Sequence, residues 1–247
     1  MQDYYTSSVL AQPNSRYNHY SAEIAVSFIK MLSNQINGGS ISTRNMWQER
    51  FIKDVFGIET SNGNRQFIYA YVATDDEQER LLFLARIALF LTCADRSPNG
   101  EVYYCVTDQE QSTVIFKDIC DIVVHCENLR RYIKLSLCQK KLIYKPLNSS
   151  FQIITPNEYK LVQNAHGVLV DESFVFNNCS CFNLKNIGQR TREKQPLLVV
   201  TASAQTTNKN KIFHSLHQKA INVLNGKDTD SLFYPTIIHE LEHHNNS

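Results

Sequence analysis

At 247 residues and 43% hydrophobic, the chain is long enough to bury a sizeable core, as one large domain or two small ones. Twenty-five basic residues against twenty-four acidic ones leave a net charge of +1. That balance excludes the global basic field that gathers nucleic acid, and no polybasic run for anionic lipid stands out.

Residues 1–20 are polar and aromatic, with neither a basic n-region nor an apolar h-region, so they read as a loosely ordered lead and not as a Sec-type signal peptide. Ala22–Ile36 carries a helical apolar stripe ended by Gly38-Gly39, and Arg44–Phe56 carries a second one stopped by Gly57. Phe67–Val72, β-branched and aromatic, reads as a strand. Asp75–Ala94 opens on acidic residues, which suit a helix N-terminus, and then turns apolar. Its run Leu81–Cys93 is broken by Arg86 and is too short to cross a bilayer. Val102–Val106 reads as a short strand and Ile115–Leu137 as one long helix.

After Pro146 the texture changes. Phe151–Ile154, Gly167–Val170, Ser173–Phe176 and Leu197–Thr201 read as short strands, Lys209–Leu224 as an amphipathic helix, and Asp230–His244 as a last helix with Pro235 in its first turn. The expected fold is α+β. A mainly helical part over 21–146 precedes a part over 147–247 with a small mixed sheet and two helices; a single domain is the alternative. Seven cysteines, scattered and odd in number, point to buried free thiols in a reducing, cytoplasmic setting.

The sharpest chemical pattern is His239-Glu240-Leu241-Glu242-His243. On a helix two histidines at i, i+4 share a face and can hold one zinc ion, with the intervening glutamate as general base for a zinc-bound water. The stretch 236–243 resembles the active-site helix of the zincin metallopeptidases. That resemblance implies a zinc-dependent peptidase with His239 and His243 as ligands, Glu240 as base, and a protein or peptide substrate. Zincins usually take a third ligand from downstream, where only His244, Asn245, Asn246 and Ser247 follow. The third ligand is therefore sought upstream, in His214, His217 or Cys181.

Two other readings compete. Cys105, His166 and Asp171 could form a thiol-hydrolase or deamidase triad, a Cys–His pair oriented by a carboxylate. A non-enzymatic interaction module with an incidental histidine-rich tail is the other. The Ser/Thr/Asn-rich segment 202–208 before a helix suits an anion, but it lacks phosphate-loop glycines. The cluster Lys185, Arg190, Arg192 and Lys194 reads as a solvated loop or as a phosphate or nucleic-acid contact.

Overall fold

A computed structural model of the chain describes residues 3–6, 14–37, 46–106, 109–155, 165–172, 195–204 and 211–239. Strands β1 (Asp3–Thr6) and β2 (Arg16–Tyr17) precede helices α1 (His19–Asn37) and α2 (Met46–Gly57). Then come β3 (Ile58–Glu59), β4 (Tyr69–Ala73), α3 (Glu77–Cys93), β5 (Glu101–Cys105), α4 (Gln109–His125) and α5 (Glu127–Arg130). The chain continues through β6 (Ile133–Ser136), β7 (Lys141–Tyr144), β8 (Ser149–Ile154), β9 (Gly167–Asp171), β10 (Leu197–Ala202), α6 (Lys211–Leu224) and β11 (Phe233–His239).

Nine strands make one sheet in the order β1-β11-β4-β10-β9-β5-β8-β7-β6, while β2 and β3 pair separately. The six strands from β11 to β8 are mutually parallel; β1 and β7 run against them at the two margins, and β6 pairs antiparallel with β7 at the outer edge. A parallel sheet must be covered on both faces, so its strands read as unbroken apolar runs. Strand β10, Leu-Leu-Val-Val-Thr-Ala, is buried at all six positions.

The pleat sends alternate residues to two cores. One side, holding Ala70, Val72, Tyr104, Phe151, Leu169 and Val199, packs with residues of α1 to α4. The other, holding Tyr71, Tyr103, Val168, Val170, Leu198 and Val200, packs with Phe213, Ala220 and Val223 of α6. Asp76 caps α3, its Oδ1 accepting from the Glu79 amide at 2.8 Å. Among the described residues no helix is long and apolar enough to cross a membrane.

The fold is mixed α/β, and three expectations are corrected. The N-terminal part is not mainly helical: β4 and β5 are two of the six central parallel strands, within a sheet of nine rather than a small one. Ile115–Leu137 is not one helix. Helix α4 ends at His125, Cys126 is extended (φ −94°, ψ 94°), and β6 then pairs with β7, Ile133 opposite Tyr144.

Nor is 230–239 helical. Tyr234 and Ile238 face one core while Phe233 and Ile237 face the other, the two-residue period of a strand buried on both sides. The same apolar positions mimic a helical stripe when only their count is read. Pro235 fits because, among the described residues, the β1–β11 pairing begins at Thr236, so the missing N–H removes none of its ladder hydrogen bonds.

Candidate functional site at the carboxyl end of the sheet

The expected zinc ligand His239 does not lie on a helix. His239 is the last residue of β11, and Glu240, His243 and Cys181 lie outside the described residues. His214 and His217 are on α6, and His217 Nδ1 is hydrogen-bonded to the Tyr71 hydroxyl at 3.0 Å. Among the described residues no three of His, Cys, Asp and Glu are grouped to hold a metal ion.

The thiol triad does not form either. Cys105 closes β5 opposite Val170, whereas the His166 amide donates to Glu101 O at the other end of the same strand. Four residues of strand separate them, about 13 Å. Burial pushes the Cys105 thiol well above its ordinary value, so the reactive thiolate is disfavoured. His166 instead bonds Asp95 Oδ2 through Nε2 at 2.6 Å, and the Arg65 guanidinium reaches the same oxygen at 2.6 Å. Burial alone would raise the Asp95 carboxyl; the charge of Arg65 and the His166 hydrogen bond outweigh it and hold it low. This cluster joins the amino ends of the strands and reads as structural.

Titratable groups converge at the opposite end. Helix α3, which follows β4, lies on one face of the sheet, and α6, which follows β10, lies on the other. The two strands are neighbours, so their carboxyl ends flank a crevice where the connections part to opposite faces, the usual ligand position in open α/β sheets. Asp171 ends β9 there, 1% exposed, followed by Glu172. Thr201, near the end of β10, donates through Oγ1 to Asp171 Oδ2 at 2.6 Å.

Arg80, on the first turns of α3, fills the space between these groups. Its Nε donates to Asp171 Oδ2 at 3.1 Å, Nη2 to Glu172 Oε1 at 3.1 Å, and Nη1 to the Thr74 carbonyl at 2.7 Å. The guanidinium side chain is 5% exposed. Burial raises the Glu172 carboxyl above its usual value, partly offset by a backbone hydrogen bond from Ser203 and by Arg80. Beside them the Tyr104 hydroxyl is buried without a hydrogen-bond partner among the described residues.

The chemistry of the crevice follows from what lines it. An acidic pair on a strand end suits a divalent cation, but here one guanidinium already satisfies both carboxylates. Cradling a nucleotide phosphate needs glycines that free backbone N–H groups, and a lysine. The turn after β4 reads Thr74-Asp75-Asp76-Glu77, with neither. Asp76 itself occupies the helix N-terminus, and Ser203 Oγ donates to Asp75 Oδ1 at 2.6 Å. Three carboxylates at this turn would repel phosphate.

The sequence marks Asp171 as a partner to Cys105 and gives no mark to Arg80. The available signal was an apolar strand ending on Asp-Glu at 167–172.

No protein-family profile matches the chain, and no curated protein matches it in sequence. Among solved structures, the HK97 bacteriophage large terminase superposes with a TM-score of 0.65 at 15% identity, over 86% of this chain and 42% of that one. Two structures of a Thermus phage large terminase ATPase domain, one of them a mutant, match with TM-scores of 0.44 and 0.42. Both are at 12% identity, over 62% and 58% of this chain and 66% and 62% of theirs. The chain thus spans less than half the length of the HK97 terminase. The likeness overturns the zincin reading drawn from the C-terminal pattern, and what this chain shares with the phage large terminase is its fold.

Proposed function

We propose that this chain is a terminase-type module of a DNA-packaging apparatus that keeps the α/β framework of the motor but does not itself hydrolyse nucleotide. The terminase-like fold supports the packaging role and points to DNA rather than a peptide as the partner. The Arg80 guanidinium, seated between Asp171 and Glu172, carries the non-hydrolysing half. In that seat it holds the positive charge a magnesium ion would bring. It is tied to three partners at once, and the preceding turn meets phosphate with three carboxylates, those of Asp75, Asp76 and Glu77.

With magnesium, ATP and duplex DNA, the purified chain is expected to release no phosphate above a protein-free blank and to bind no fluorescent ATP analogue saturably. Turnover abolished by Asp171→Asn would overturn the non-hydrolysing half. Deleting the reading frame from the genome that encodes it is expected to leave particles without DNA. DNA-filled particles at normal yield would overturn the packaging role.

A further inference from the structure

We infer that the outer face of the β6–β7–β8 unit binds the phosphate backbone of duplex DNA. Arg130, Arg131, Lys134, Lys140, Lys141 and Lys145 fall between Asn128 and Thr155, a stretch without a single carboxylate, in a chain whose net charge is +1. Acidic residues elsewhere cancel this cluster in the total, which is why composition hides it. Among the described residues none of the six cations is ion-paired.

Strand register decides where they point. Ile133, Leu142 and Phe151 belong to the core, with Leu135 and Tyr144 packed against it. The alternate positions, on the opposite face, carry Lys134, Ser136, Lys141, Ile143, Ser150 and Gln152. This face therefore offers lysines, hydroxyls and an amide, a set of donors for phosphate oxygens. Lys134 lies opposite Ile143 and Lys141 opposite Ser136, so the two lysines are diagonal neighbours, about 7–8 Å apart. A DNA strand carries one phosphate per about 3.4 Å of helix axis, so this spacing suits two phosphates on one strand.

The positive strip extends past both ends of the hairpin. Exposed Arg130, Arg131 and Lys145 continue it at one end, where the Lys145 amide donates to Tyr132 O at 2.9 Å. At the other end Lys140 and Lys141 line a pocket of about 330 Å³ together with Gln109, Gln152 and Thr155. Lys140 Nζ is held there by neutral oxygens, those of Gln109 and Thr113, and keeps its charge unopposed.

Lysines on an edge strand also prevent sheets from pairing edge to edge. That role accounts for Lys134 on β6 and leaves the other five cations, all off the edge strand, unexplained. A bilayer would call for apolar side chains among the lysines, and Ile143 is the sole one on these strand positions. The inference rests on the packaging reading only in choosing duplex DNA as the occupant.

The test is fluorescence anisotropy of the full chain with a labelled duplex of about 30 base pairs between 50 and 200 mM salt, repeated with duplex RNA and with phosphatidylserine vesicles. We expect wild type to bind the DNA with a steep salt dependence. Lys134→Glu/Lys141→Glu should weaken it at least tenfold and flatten the salt slope by about one unit per lysine lost, whereas Lys134→Arg/Lys141→Arg should bind like wild type. Circular dichroism and thermal melting confirm that each variant is folded; should the glutamate pair unfold, Lys134→Gln/Lys141→Gln takes its place with the same direction expected. No wild-type binding at 50 mM salt, equal binding by the charge-removed variant, or tighter binding to RNA or vesicles overturns the inference. No nucleotide enters this assay, so its failure leaves the Arg80 reading standing, and ATP turnover by the chain would leave this surface standing.

Discussion

Arg80 Nε and Asp171 Oδ2 lie 3.1 Å apart, joining the first turns of α3 to the carboxyl end of β9 across ninety-one residues of sequence. Both side chains are buried, so each group depends on the other to offset its desolvation. Arg80→Ala leaves Asp171 and Glu172 facing one another without a counter-charge. Breaking a buried pair in this way costs about 3–5 kcal/mol. For a chain of this size that is a drop in Tm on the order of 10 °C. Millimolar magnesium should recover part of the loss in the variant and leave wild type unmoved, because only the variant has two uncompensated carboxylates for the ion. An Arg80→Ala protein that melts with wild type and ignores magnesium would show that the guanidinium does not hold the crevice closed.

The Arg65–Asp95–His166 cluster gives a pH-dependent expectation. Asp95 is held below its ordinary range in the fold, so its stabilisation is present above the unfolded value and is lost as pH falls through the folded one. Asp95→Asn strands the Arg65 guanidinium, whose side chain is 3% exposed, at a cost of about 3–5 kcal/mol near neutrality. The gap between wild type and variant should narrow as the medium becomes more acidic than the usual carboxylate range. A gap that stays constant in urea melts from pH 7 down to pH 3 would exclude the coupling.

Glu79 should act in the opposite sense. Burial, with Asp76 nearby as a second cause, raises its carboxyl to about 7, and Gln48 Nε2 donates to its Oε1 at 3.1 Å. A folded value above the unfolded one means stability is fully present below the unfolded value and lost as pH rises toward the folded one, here from about 4.5 to 7. Glu79→Gln copies the protonated form. The variant and wild type should therefore melt together below this window, and the variant should gain on wild type through it. Parallel curves across the window would mean Glu79 titrates normally.

Much of the framework is readable from local pattern. The helices near 22–36, 44–56, 75–94 and 209–224 and the strands near 67–72, 102–106, 151–154, 167–170 and 197–201 appear within a few residues of their observed bounds. Their apolar periods are local properties, and α3 even announces its cap at Asp76. The failures have a common cause. Strands β6 and β7 are only four residues each; β6 gains its order from pairing with β7, and β7 from pairing with β8, so neither is fixed by the apolar period of its own residues.

β11 carries a helix-like count of apolar residues and adjoins a metal-helix pattern, yet its environment between β1 and β4 requires a strand. The site fails to appear for the same reason. Arg80 in isolation reads as one more charge in an acidic helix start, and only the sheet order brings it to Asp171 and Glu172.

The strand at 233–239 makes its own prediction. The Tyr234 hydroxyl donates to Asp54 Oδ2 at 2.7 Å, tying β11 to α2, while its ring sits edge-on to Phe51 and Phe67 at 5.5 and 5.0 Å. Tyr234→Phe keeps the ring packing and removes the donor, leaving a partly buried carboxylate one bond short. A hydrogen bond to a charged group contributes about 1.5–3 kcal/mol, so a loss near 2 kcal/mol is expected, and Asp54→Asn combined with Tyr234→Phe should cost less than the two single changes together. Ile237→Lys and Ile238→Lys should each destabilise severely, because in a strand these neighbours enter opposite cores. In a one-faced helix resting on the surface, at least one substitution at the flank would be tolerated. Urea melts of the four single variants decide it: mild effects at either isoleucine, or amide exchange at the free-peptide rate over 233–238, would rule out the central strand.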